Sequence, residues 1–171
     1  RGYREDELWG DKIAWFNDES GEYRLVVSDQ DGLSGMKTYP IPEASFFFRP
    51  AWSPDGKYIA FTDTHYKLHT INLETGNVKV ADSDTYAHPN RTMNPVWSPD
   101  SKWIAYAKIL GNQYKAVFVY NVENGEKHQL TDGMADALSP VWDESGKYLY
   151  FLASTNYGLA SGWLDMSGYD V

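Results

Sequence analysis

Apolar and polar positions alternate along this chain in short runs broken by turn residues, and no stretch keeps a helical period for more than a turn or two. The pattern predicts strands joined by tight turns, an all-β chain. In the strand after Lys57, Ile59 and Phe61 fall on one face and Ala60 on the other; Ile104 and Tyr106 against Ala105 repeat the arrangement, with Leu149 and Phe151 at the matching places further on. Small residues on one face let a neighbouring sheet approach closely.

The alternation is itself repeated. Pro50-Ala-Trp52-Ser-Pro54-Asp55-Gly56-Lys57 returns as Pro95-Val-Trp97-Ser-Pro99-Asp100-Ser101-Lys102 and then as Pro140-Val-Trp142-Asp-Glu-Ser-Gly146-Lys147, a period of 45 residues. A degenerate first copy runs from Lys12 through Ile13, Ala14 and Trp15, without the Trp-Ser-Pro-Asp-Gly core and one residue short in the following strand. The repeats lie at about 5–49, 50–94, 95–139 and a truncated 140–171, one segment spanning 1–171.

Each copy divides into four strands: one through the Trp, one after the Lys, one before an Xaa-Gly turn such as Thr75-Gly76 or Asn124-Gly125, and one after it. Four antiparallel strands in about 45 residues make one blade of a β-propeller. Trp52, Trp97 and Trp142 recur in register and read as packing residues between blades. Ser53-Pro54-Asp55-Gly56 is a type I turn sequence; the third copy replaces Gly by Ser101 and the fourth loses Pro, so both turns are expected to be weaker.

Composition narrows the partners. Fifteen Lys and Arg against 24 Asp and Glu leave a net charge of −9 in 171 residues, a field that repels nucleic acid and anionic lipid. No apolar run approaches the roughly 20 residues of a membrane-spanning helix, so neither nucleic acid nor membrane insertion is expected. The absence of Cys removes disulfides and thiolate sites and fits the periplasm or the cytoplasm, of which the periplasm is favoured.

The Pro-x-Trp-Ser-Pro-Asp-Gly-Lys element with Tyr58-Ile59-Ala60-Phe61 resembles the WD40-like repeat of propellers in TolB, tricorn-type proteases and the prolyl oligopeptidase group. Two further stretches, Ala14 to Tyr23 with Asp29 to Gly32, and Tyr150 to Ser154 running to Trp163-Leu164-Asp165, are most similar to the propeller of tricorn-like peptidases. That resemblance implies a propeller lying ahead of a PDZ-like module and a serine peptidase core, filtering or channelling peptides towards it. None of that family's catalytic positions falls here. The other two resemblances imply a periplasmic protein-interaction module and the lid of a hydrolase.

The residues themselves carry no catalytic signature: no Gly-x-Ser-x-Gly, no P-loop, no Gly-x-Gly-x-x-Gly, and no need for a metal or cofactor. His65, His69, His88 and His128 read as surface residues, Asp29-Gln-Asp31-Gly32 as a turn and Asp82-Ser-Asp84 as a solvated connection. Binding residues are expected where one blade leads into the next, over a mouth of the central channel. Phe46 to Arg49, Arg91 to Asn94 and Asp136 to Ser139 occupy that place, with Arg49 and Arg91 as candidates to engage a peptide and Asp136 opposing them.

Only 32 residues follow the start of the fourth repeat at Pro140, so its outer strand is expected to be missing. The chain opens on Arg1-Gly2-Tyr3, which reads as an excised segment. An incomplete propeller exposes the faces of its end blades, and self-association is expected through them.

Overall fold

The computed structural model describes residues 7–19, 21–42, 45–84, 93–154, 160–161 and 164–165. They form sixteen strands and no helix. The first three sheets each contain four antiparallel strands in chain order: β1 (Glu7–Trp9), β2 (Lys12–Asn17), β3 (Arg24–Asp29) and β4 (Lys37–Pro40); β5 (Phe47–Trp52), β6 (Tyr58–Asp63), β7 (Lys67–Asn72) and β8 (Val78–Ser83); β9 (Val96–Trp97), β10 (Trp103–Ile109), β11 (Lys115–Asn121) and β12 (Lys127–Gln129). The fourth pairs β13 (Ala137–Trp142) with β14 (Leu149–Ala153), while β15 (Ala160–Ser161) and β16 (Leu164–Asp165) pair only with each other. These are propeller blades, and the ring is open.

Two cores lie between successive blades, and the small-against-large pattern builds both. Ile59 and Phe61 join Ala14, Leu25 and Val27 between the first and second blades, whereas Ala60 and Leu68 meet Ile104 and Tyr106 between the second and third. The second and third blades turn their bulky face backward, and each of the first three turns its Ala forward. Ala14 takes the place of Ala60, as the one-residue deletion in the first copy requires.

The recurring Trp does more than fill space. Trp97 Nε1 donates to the backbone oxygen of Ala51 at 2.9 Å, and Trp142 Nε1 to that of Val96 at 3.1 Å. Each indole thus reaches back to the carbonyl just before the Trp of the preceding blade, satisfying a polar group that burial would otherwise strand. In the first blade Leu8, across from Ile13, holds the register position of Trp52, across from Ile59. Trp9, one place on, stacks against Trp52 at 5.7 Å and donates forward to the oxygen of Pro54 at 3.0 Å.

The turns after the Trp are equally closed in all three copies, not weakened. Gly56, Ser101 and Gly146 donate to the oxygens of Ser53, Ser98 and Asp143 at 2.9, 2.9 and 3.0 Å. Ser101 adopts φ +60, and its hydroxyl accepts the amide of Asp55 in the preceding blade at 3.0 Å, a contact Gly could not make. At Gly56 the corresponding space is filled by Trp9, whose ring would lie 2.5 Å from an added Cβ.

The fourth copy keeps its turn by exchanging two residues. Ser53 donates to Asp55 at 2.6 Å and accepts the amide of Tyr58; Ser98 and Asp100 do the same with Trp103. In the fourth blade the carboxylate stands first: Ser145 donates to Asp143, and Asp143 accepts the Tyr148 amide at 2.7 Å. The Ser145 hydroxyl and amide both donate to Asp143 Oδ2 and the Tyr148 amide to Oδ1, and these bonds hold its carboxyl below the ordinary range.

The fourth sheet has only two paired strands, and its forward face lies open. Val141, Tyr148, Tyr150 and Leu152 are all more than half exposed, and Phe151 is 40% exposed where Phe61 and Tyr106 are fully buried. Tyr150 stands where the other blades carry Ala14, Ala60 and Ala105.

Candidate functional site on the inner strands

The first strands of successive blades, β1, β5, β9 and β13, touch one another in order and form the inner edges of the sheets. Being edges, they turn one side of their backbone towards the propeller axis. β5 and β13 share a bulge: pairing to the second strand skips between Phe48 and Ala51, and likewise between Leu138 and Val141. An extra residue in each strand bends it and re-aims the side chain there.

Arg49 and Ser139 occupy these bulges at the same repeat position, with φ of +51 and +54. A left-handed non-glycine residue costs roughly 1–2 kcal/mol, so each of these two bulges carries that strain. Asn94 holds the same position in the blade between them. All three side chains are exposed, and the Arg49 guanidinium donates to Asn94 Oδ1 across the blade boundary.

The other proposed binding residues fall differently. Asp136 is half-buried; its Oδ1 accepts the Lys115 amide at 2.8 Å and its backbone oxygen accepts that of Ser154 at 2.8 Å, tying the third blade to the fourth. Asp84 makes the matching bond to the Ile109 amide at 3.0 Å, between the second and third blades. Arg91 lies outside the described residues.

Two polar groups read as solvent-facing are buried. Asp82 is 6% exposed and accepts Tyr106 Oη at 2.8 Å, Lys108 Nζ at 3.0 Å and Lys127 Nζ at 2.7 Å, all from the third blade. Burial alone would raise its carboxyl, but the two ammonium groups and Tyr106 hold it below the ordinary range. Burial, with the neighbouring Asp82 charge, pushes the Tyr106 hydroxyl upward.

His69 is 1% exposed, contrary to its reading as a surface residue. Strand alternation places it opposite Phe61, with the rings stacked 5.1 Å apart, and its Nε2 lies 2.8 Å from Asp63 Oδ2. The donor is assigned to His69 because an ionised carboxylate only accepts. Burial would raise Asp63, but His69 and the Lys67 amide outweigh it and hold the carboxyl low. The Asp82 cluster is closed around its own partners and joins the second blade to the third; within the second blade Asp63 takes up His69 Nε2, while the buried Nδ1 has no hydrogen-bond partner among the described residues.

Comparison with known proteins agrees with this architecture. The sequence profile of the tricorn protease second beta propeller domain matches residues 3–158. The Tol-Pal system protein TolB of Nitrosomonas europaea is 34% identical over 64 residues, covering 37% of this chain and 15% of that protein. The crystal structure of the tricorn protease superposes with a TM-score of 0.71 at 21% identity, over 86% of this chain and 15% of that one. A prolyl endopeptidase structure gives 0.62 at 15% identity, over 90% and 26%. The structural likenesses establish the fold, and the chain spans about a seventh of the TolB and tricorn chains it matches.

Proposed function

The chain belongs to the family of the tricorn protease second β-propeller domain, and on that premise we propose that it is a non-catalytic propeller segment of a tricorn-like peptidase, a scaffold whose channel gates peptides. The observation that supports this most is the inner wall itself, where Arg49, Asn94 and Ser139 stand exposed in register on consecutive blades. The described histidine and carboxylate clusters face inward and are consumed by structure, which leaves the channel as the place for contact with a substrate.

The test uses the complete gene product. Arg49→Trp narrows the channel without touching any proposed peptidase residue; hydrolysis of long peptides should fall severalfold while a small chromogenic substrate is cleaved as before. Unchanged cleavage of both, or hydrolysis by residues 1–171 alone, would overturn the reading.

The match to TolB supports a second reading, a propeller that docks a partner protein in the periplasm. A PDZ-like stretch and peptidase core downstream favour the first; termination after the ring favours the second. A hydrolase domain carrying Gly-x-Ser-x-Gly would instead make the segment the lid of a prolyl-oligopeptidase-type enzyme.

A further inference from the structure

We propose that Phe46, Tyr23 and Asp18 form a site for a cationic peptide side chain, arginine or lysine, at the seam between the first two blades, a reading that rests on the peptide-gating function and names the side chain recognised. Phe46 ends the connection from the first blade and leads directly into β5, an inner strand, with its backbone oxygen held by the Thr64 amide at 3.0 Å. Its ring is 40% exposed. It packs against Phe48 at 4.7 Å and meets Tyr23 edge-on at 5.2 Å, and Tyr23 in turn meets the buried Phe47 edge-on at 6.0 Å. The exposed ring is therefore fixed on a packed aromatic base.

The repeat shows that packing does not require an aromatic residue here. One and two repeats on, the same position is Arg91 and Asp136. The core is filled by the next residue along, Phe47 at 3% exposed in the second blade and Ala137 at 2% in the fourth. Phe46 thus leaves an apolar ring to water where the other copies carry a charge.

The chemistry selects a cation. The face of an aromatic ring carries negative potential and draws an ammonium or guanidinium set over it. A carboxylate stands beside the same cluster: Asp18 is exposed in the turn between β2 and β3, where the Gly21 amide donates to its backbone oxygen at 2.8 Å. Burial, with the Asp18 charge and its hydrogen bond, pushes the Tyr23 hydroxyl upward, which places that carboxylate at the polar end of the Tyr23 ring. Glu19, also exposed, adds a second carboxylate in the same turn. A cationic side chain lying on Phe46 is drawn to the ring and to Asp18 together, whereas an acidic one is repelled by both.

The probes are acetylated, amidated Ala-X-Ala tripeptides with X as arginine, citrulline, leucine or glutamate; citrulline has the shape of arginine without its charge. Each is titrated at low protein concentration into the 171-residue chain while the ring protons of Phe46 and Tyr23 are followed by NMR. The arginine peptide should bind about three- to tenfold more tightly than the citrulline peptide, as expected for a cation on an exposed aromatic face. Phe46→Leu, which keeps an apolar side chain in place, should abolish that preference, and Asp18→Asn should reduce it, both with the backbone amide spectrum of the third blade unchanged. If Phe46→Leu disturbs the fold, Asp18→Asn in its exposed turn carries the test alone.

Equal binding of the arginine and citrulline peptides, tightest binding of the leucine or glutamate peptide, no binding of any probe, or a preference that survives both substitutions would overturn the proposal. If the preference is absent while Arg49→Trp still filters long peptides, only this site fails. If the preference is present while Arg49→Trp leaves long and short substrates cleaved as before, the gating reading fails and the site stands.

Discussion

The indole of Trp97 hydrogen-bonds the backbone oxygen of Ala51, 46 residues earlier and one blade back, and Trp142 repeats the bond to Val96. A residue that the 45-residue period marks as packing is therefore also the pin of each joint. Trp97→Phe keeps most of the ring and removes the donor, leaving a carbonyl unpaired, and should destabilise by about 1–2 kcal/mol in urea unfolding. Trp97→Ala should cost about 3–5 kcal/mol. The same changes at half-buried Trp142 should cost less.

Acid should weaken the joint between the second and third blades. The Asp82 carboxyl is held below its ordinary value in the fold, so the unfolded chain binds its proton more readily. Its contribution is complete above the unfolded value of about 3.9 and is lost as pH falls from there through the folded value. Asp82→Asn should cost about 2–3 kcal/mol near neutrality, less than a fully buried pair because Lys127 is partly in water. Urea unfolding from pH 7 to pH 3 should show the gap between wild type and Asp82→Asn narrowing on the acid side.

The turn positions 56, 101 and 146 should respond unequally to the same residue. Gly56→Ser meets both a left-handed φ and the Trp9 ring, and should cost about 2 kcal/mol or more. At Gly146 the neighbouring Pro99 lies at 3.6 Å, an ordinary contact, so Gly146→Ser should cost only the backbone strain, about 1 kcal/mol. Chemical denaturation of the two variants side by side checks the difference.

The repeat made the blades, their strand order and the Trp register readable in advance, because each depends on residues close in sequence. The polar joints were not readable in the same way. Asp82 looks like a loop carboxylate until Tyr106, Lys108 and Lys127, 24 to 45 residues later, are folded against it. His69 is buried because strand pairing sets it opposite Phe61 with Asp63 as acceptor. Arg49 stood out as a charge before a Pro, but its left-handed bulge carries no local signature, since Arg and Ser are not residues that favour that conformation. The exchange of Asp143 and Ser145 shows the opposite case, a motif broken in letters and kept in hydrogen bonds.

The open face of the fourth blade should make residues 1–171 associate at high concentration. Tyr150 and Leu152 are 62% and 66% exposed beside Val141 and Tyr148, an apolar surface that the earlier blades cover with their neighbours. Light scattering should give a mass above 19.5 kDa that rises with concentration, and Tyr150→Glu with Leu152→Glu should return it to the monomer. A wild-type monomer at every concentration would contradict this.

The account depends most on blades pinned through their indoles, and hydrogen exchange at the Trp side chains measures that directly. The Trp97 Nε1–H is predicted to exchange orders of magnitude more slowly than a free indole and to lose that protection when Tyr106 and Ile104, its neighbours in the second core, are truncated to Ala. Exchange of the Trp97 indole at the rate of a free side chain, in protein whose backbone amides remain protected, would show that the joint does not exist.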